Sequence, residues 1–187
     1  YEIPKRDWSS DVCSSDLDTG REATQTWEYL RDVISPYLSQ VDLRVEIAPH
    51  ELATVDLYST KSGKTLLPMF TVNGRLPAFC SSEWKKAVIR RYLRQAGYGP
   101  KNPVTMWIGI SVNEIGRAKP SGVQWIENEW PLLMNYPINR ADCKRLVIDA
   151  GLPEPPKSSC WMCPYRPDRQ WRQLKEYYPD DRSEEHT

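Results

Sequence analysis

The chain has 187 residues, enough for one medium domain, or a domain with a small appendage, and for a sizeable core. Its 25 Lys and Arg balance 25 Asp and Glu, so no global field draws it to DNA, a membrane or acidic ligands, and any nucleotide or nucleic-acid contact must be local. No apolar run reaches transmembrane length and the first residues lack the apolar core of a signal peptide, so the expectation is a soluble, cytoplasmic chain with no membrane partner.

Five cysteines, an odd number without a secretory signal, argue against a disulfide scaffold and leave metal binding or ordinary burial. Composition leaves the oligomeric state open. RDWSSDVCSSDL (residues 6–17) and DRSEEHT (residues 181–187) resemble translated sequencing-adapter read-through from assembled environmental DNA. On that expectation residues 1–17 and 181–187 are not native and the native chain begins near Asp18. Cys13 then drops out, leaving Cys80, Cys143, Cys160 and Cys163.

Trp27, Leu30, Val33, Ile34, Tyr37 and Leu38 recur at helical spacing, with Thr24 or Thr26 as cap and Pro36 limiting the last turn. Leu43, Val45 and Ile47 alternate with charged residues and predict a strand with one core face. Residues 50–71 are ambiguous beyond a turn at Ser62-Gly63-Lys64 and an extended stretch from Leu66 to Val72. Ser81 or Ser82 is placed to cap a helix whose apolar positions are Trp84, Val88, Ile89, Tyr92 and Leu93, ending at Gly97. Val104 to Ile110 reads as a strand buried on both faces, as in a parallel sheet. Asn139 caps a helix carrying Cys143, Leu146, Val147 and Ala150 on one face and ending at Gly151. The connector GLPEPPKSS and a last helix from Pro167, with Trp171, Leu174 and Tyr178, complete the chain. Helices alternating with short buried strands predict an α/β fold with a cysteine-bearing hairpin at its edge.

SSCWMCPYR holds Cys160 and Cys163 in a C-x-x-C pair, half of a four-ligand site for zinc or a 4Fe-4S cluster; spacing alone does not choose between them. Cys80 stands before a helix start, where free N–H groups favour a thiolate. Cys143 suits a ligand or a core position equally.

Four motifs in order carry a family resemblance: DTGREATQTWEYL, FCSSEWKKAVIRRYL, WIGISVNEIGRAKPS and YPINRADCKRLVIDAGLPEPPKSSCWMCPYR. Together they resemble the phosphoadenosine phosphosulfate (PAPS) reductase-like branch of the PP-loop, or adenine nucleotide alpha hydrolase, superfamily, a branch often found in phage genomes. The resemblance implies a Rossmann-like, mostly parallel sheet, here without its first strand and phosphate loop. It implies an α/β nucleotide-binding domain at 18–135, with a Cys-rich helical segment at 136–180 packed on it.

By resemblance Cys80, Cys160 and Cys163 are ligands of a 4Fe-4S cluster; because the family's second cysteine at the first site is here Ser81, Cys143 is the candidate fourth. Asp18, Thr19 and Gly20 match the stretch closing over ATP or a related adenine nucleotide, and Gly109, Ser111, Glu114 and Arg117 the loop across that crevice. Lys85, Lys86, Arg90 and Arg91 suit phosphate or sulfate oxygens, or a solvated helix face. Glu114 and Arg117 equally suit a surface ion pair.

Two departures matter. The Ser-Gly-Gly-x-Asp-Ser-like loop that cradles phosphates is absent, and the superfamily places it upstream of Asp18. No Glu-Cys-Gly-like tail follows Cys163, which disfavours sulfonucleotide reduction through a covalent thiosulfonate. The resemblance therefore implies a fragment, itself inactive, of an enzyme that cleaves or activates a nucleotide at its alpha phosphate, with the cluster serving sulfur transfer and a nucleic acid among the acceptors it suggests. The competing expectations are a sulfonucleotide reductase lacking its tail, or a non-catalytic zinc module whose Trp161, Tyr165 and Trp171 stack on bases or meet a protein partner.

Overall fold

The computed structural model describes residues 14–17, 21–48, 57–59, 62–67, 69–75 and 79–183. It is a mixed helix and strand protein whose contacts divide it into two compact units. Unit 1 joins residues 1–88 to 158–187, and unit 2 is the continuous stretch 89–157.

Unit 1 opens with a parallel pair, β1 (Ser14–Leu17) against β2 (Val45–Ala48). Between them runs one helical rod, α1 (Thr24–Tyr29), a π-helical stretch (Leu30–Ile34) and α2 (Ser35–Ser39). The strand–helix–parallel strand order is the elementary α/β unit. It includes four residues of the adapter-like stretch; a ladder is a backbone property and does not depend on those side chains. Pro36 does not end the rod. The wide π turn, in which Ser35 N–H reaches Leu30 C=O, lies just before it, where an α turn would set the ring against the carbonyl of Asp32. The rod stops instead at Asp42, which adopts φ 57° while Leu43 N–H returns to Leu38 C=O.

Neither Thr24 nor Thr26 is the cap residue. Ala23 is, and Thr24 N–H is taken by Asp181, 157 residues away. In β2 the expected core face fails at Ile47, which is 47% exposed while Ala48 is fully buried. The Ser62-Gly63-Lys64 turn forms, with Gly63 at φ 64° and Ser59 N–H bonded to Lys64 C=O. Phe70–Thr71 (β3) and Gly74–Arg75 (β4) then make a minimal antiparallel hairpin.

The second rod runs from a π-helical stretch (Ser81–Lys86) into α3 (Ala87–Gln95). Trp84 and Val88 are buried as their spacing requires, but neither Ser81 nor Ser82 caps. Cys80 holds the cap position in already helical conformation, and Phe79 C=O receives the N–H of Ser82 and Glu83. Gly97 at φ 92° ends the rod, with Tyr98 N–H on Leu93 C=O.

Unit 2 holds a second parallel pair, β5 (Val104–Trp107) with β6 (Ile126–Glu129), a 3-10 helix (Val112–Arg117), α4 (Pro131–Met134) and α5 (Arg140–Asp149). Burial on both faces of β5 is not what forms. Its residues alternate, and Trp107 is 51% exposed with its indole N–H donating to Glu129 at 2.8 Å. Burying both faces needs an element packed on each side of the ladder; in β5 alternate side chains stay exposed, so the apolar run splits between inside and outside. Asn139 caps α5 as expected, in a reciprocal box with Asp142. The core face assigned to Cys143, Leu146, Val147 and Ala150 is not buried: α5 has no buried residue and Leu146 is 57% exposed.

The chain then returns to unit 1 through α6 (Asp168–Tyr177) and α7 (Pro179–Ser183), with Leu174 in the core. Among the described residues the strands form three separate two-stranded ladders, and no helix is long and apolar enough to cross a membrane.

Candidate functional site

Unit 1 ties the early chain to the late chain at the C-x-x-C turn. Glu22 pairs with Cys160 as an antiparallel bridge, Trp161 N–H donates to Arg21 C=O at 2.8 Å, and Ser158 Oγ donates to the Glu22 carboxylate at 2.9 Å. Cys163 N–H reaches back to Cys160 C=O at 3.1 Å and Arg166 N–H to Cys163 C=O at 3.0 Å, so the pair sits on two consecutive tight turns. Arg166, only 4% exposed, locks these turns from below. One guanidinium nitrogen donates to the carbonyls of Ser159 and Cys160, and the group lies 5.7 Å from the Trp171 ring.

Cys80 comes to the same place from the start of the second rod. The charges of Cys80, Cys160 and Cys163 act on one another, as does that of Lys85 on Cys80 and Cys160. Burial pushes the Cys160 thiol up to about 11, with the Glu22 carboxylate adding to the rise and Lys85 opposing it. Burial raises Cys80 too, and the Ser81 N–H bonded to its sulfur works against that rise. Arg21 stacks 4.1 Å from the Trp84 ring and is itself buried; burial lowers its affinity for a proton, and the charge of Cys160 restores part of it. Arg166 is lowered by burial in the same way, with Cys163 the leading opposing charge.

Three thiols and two buried guanidiniums therefore share one end of unit 1. Two buried donors there, Arg166 Nε and Trp84 Nε1, and the nearby Ser159 Oγ have no hydrogen-bond partner. An orphaned buried N–H costs about 1–3 kcal/mol, which asks for an acceptor that the described residues do not supply. Yet among the described residues no group of three or more His, Cys, Asp or Glu is drawn together tightly enough to hold a metal ion.

Cys143, the candidate fourth ligand, lies in unit 2, half-buried on α5. The nucleotide residues divide similarly. Asp18, Thr19 and Gly20 lie outside the described residues. Gly109 and Ser111 occupy the loop leaving the carboxyl end of β5, where parallel α/β strands present ligands. Ser111 is buried, whereas Gly109 is exposed and a Cβ there would meet nothing. Glu114 and Arg117 form an ion pair with each other. Lys85 and Lys86 are exposed; Arg90 is half-buried and donates to Ser121 C=O at 3.3 Å.

Arg21, Arg166, Trp84 and Asp181 are absent from the sequence-based site. A buried arginine carries no periodic signal, and the Trp84 ring that covers Arg21 lies 63 positions away along the chain. No family model, curated protein or solved structure matches the chain.

Proposed function

We propose that the chain is part of an adenine-nucleotide-dependent enzyme of the PP-loop, PAPS reductase-like kind, in which Cys80, Cys160 and Cys163 bind a 4Fe-4S cluster. The observation that carries this reading is the convergence of three thiols from two distant segments beside two buried arginines. Thiolates around one zinc stand about 3.8 Å apart, given a Zn–S bond of about 2.3 Å and tetrahedral angles. Each thiolate of a cubane cluster takes a different iron, so its cysteines are spread more widely. Three thiols drawn from two segments supply three of the four corners of such a cluster, and the family resemblance favours it over zinc.

The orphaned donors point the same way. Arg166 Nε–H and Trp84 Nε1–H suit sulfide and thiolate acceptors, whose hydrogen bonds also tune a cluster's potential. A cluster, when bound, supplies sulfur and redox chemistry. Arg21 and Arg166 offset the thiolate charge, and the Ser81 N–H holds Cys80 for ligation. Gly109 leaves the β5 loop open to a phosphate approaching its backbone, with Ser111 at the following helix start. The chemistry assigned to the whole enzyme is cleavage or activation at the nucleotide's alpha phosphate coupled to sulfur transfer.

Anaerobic purification with iron and acid-labile sulfide analysis tests the centre. The expected result is brown protein that loses both iron and sulfide on Cys160→Ser or Cys163→Ser substitution. Colourless protein with one zinc overturns the cluster and favours the non-catalytic module; a full iron complement in either variant overturns the ligand assignment.

A further inference from the structure

The balanced net charge hides a strongly uneven distribution. Residues 57–101 contain Lys61, Lys64, Arg75, Lys85, Lys86, Arg90, Arg91, Arg94 and Lys101 against the single acid Glu83, nine against one, so this stretch carries a formal +8 and the rest of the chain −8. Its first part, in unit 1, also displays large apolar side chains. Phe70 is 64% exposed on the β3–β4 hairpin and Val72 fully so, while Tyr58 is 60% exposed. Phe70 meets Tyr165, two residues beyond Cys163, edge to face with centroids 5.9 Å apart. Lys64 stands 5.6 Å from the Phe79 ring, next to Cys80, and Lys85 and Lys86 are exposed on the rod that follows.

We infer that Phe70 and Tyr165 form a stacking platform for an unpaired base, with Lys64, Lys85 and Lys86 holding the adjoining phosphates of a single-stranded nucleic acid. Core packing does not account for Phe70, whose ring is mostly in solvent on a hairpin only two pairs long. Phe70 stands in the unit 1 part of that stretch, residues 57–88, which holds five cations, Lys61, Lys64, Arg75, Lys85 and Lys86, against Glu83; with Tyr165 beside it, this fits the two demands of a single strand, π-faces for bases and positive charge for the backbone. A protein partner of the apolar kind is matched by the rings but not by the charge. Because Tyr165 and Phe79 flank Cys163 and Cys80, a base held here lies on the thiol side of unit 1. Base binding itself stands without the cluster; only the reading of that base as a sulfur acceptor rests on the proposed function.

The test is fluorescence anisotropy of the full chain with an oligodeoxythymidine of about 12 nucleotides, the size range of single-strand sites. A duplex of equal length is compared, and iron is quantified on the same sample. Expected are binding to the single strand that weakens steeply with salt, a preference over the duplex, and a loss of about tenfold or more in Phe70→Ala/Tyr165→Ala, in line with about 5- to 150-fold per stacked base. Both residues are exposed at the surface, so circular dichroism of that variant should be unchanged. Lys64→Glu/Lys86→Glu should flatten the salt dependence. No binding at low salt, equal binding of the duplex, or an aromatic variant that binds normally each overturns the platform. Iron without binding removes the platform and leaves the cluster; binding without iron does the reverse.

Discussion

The two units bury different things. Among the described residues unit 1 encloses two arginines and an aspartate, Arg21, Arg166 and Asp181, along with Trp84, Leu66, Val88 and Leu174. Unit 2 encloses Ile110, Trp125 and Ile126 with the neutral Ser111. Burying a charge is costly unless partners are built around it, so such groups persist where something repays the cost. In unit 1 the partners are aromatic faces, backbone carbonyls and thiols drawn from both ends of the chain. Unit 2 is a contiguous stretch whose hydrogen bonds run from the local Asn139 capping box to Arg90 on Ser121 C=O, 31 positions apart, whereas Ser158 on Glu22 and Thr24 on Asp181 close unit 1 across 136 and 157. The contrast sets the candidate thiol site in the unit that folds less locally.

The largest effect should come from removing the ring that covers a buried cation. Trp84→Ala deletes a core side chain 2% exposed and leaves Arg21 without its aromatic cover. A loss of about 3–5 kcal/mol is expected for such a deletion. Hydrogen exchange followed by segment should show faster exchange in Thr24–Ser39 and Asp168–Tyr177 and no change in Val104–Trp107. Equal acceleration in both units would erase the distinction between them.

A smaller effect follows from pH. In the metal-free chain Cys160 releases its proton only at about 11, against an ordinary thiol value near 9. Below that ordinary value both folded and unfolded chains are protonated and Cys160 contributes no pH dependence. Between the two values the unfolded chain has released the proton that the folded chain keeps, so stability falls as pH rises. The loss reaches about 2 kcal/mol by pH 11. Measured by denaturant unfolding, the advantage of the parent protein over Cys160→Ala should be flat to pH 8.5 and shrink above it. A constant difference would mean that Cys160 is not desolvated as the fold implies.

The local caps of unit 2 could be read from the sequence but not the burial of β5 or α5, and in unit 1 the helical core positions could be read but not the groups around the thiols. Asn139 with Asp142 three residues on, and Gly151 closing the helix, are local signals, and the structure realises them. The Trp84–Val88 repeat and Leu174 likewise found the core because a helix turns its spacing directly into a face. What failed needed either a backbone detail that composition does not record or a partner from elsewhere in the chain. Pro36 read as a stop because the π turn that accommodates it leaves no mark in the composition. Thr24 read as a cap, although its own N–H is capped by an aspartate from the far end. Cys80, Cys160 and Cys163 were nominated by motif, while the arginines beside them were not, since cation–ring stacking and carbonyl forks have no fixed spacing.

The smallest pair of effects sharpens the comparison most directly, because it sets one local cap against one remote cap. In unit 2 Asn139 accepts from Ala141 and Asp142 N–H at 2.8 and 3.0 Å, and Asn139→Ala should cost about 1 kcal/mol, the usual value for a lost cap. In unit 1 Asp181 accepts from Thr24 N–H at 2.9 Å and from the Thr24 hydroxyl, and is itself buried. The Thr24 hydroxyl and N–H lose their acceptor in Asp181→Ala, and its cost should match or modestly exceed that of Asn139→Ala, at about 1–2 kcal/mol. Truncation after Asp180 should reproduce that loss. Asp181 is the first residue of the adapter-like tail, so the measurement also bears on the tail. A neutral truncation would show that Asp181 contributes nothing as a cap. A loss equal to that of Asp181→Ala would show that one residue of the tail closes unit 1, whatever the origin of the six that follow.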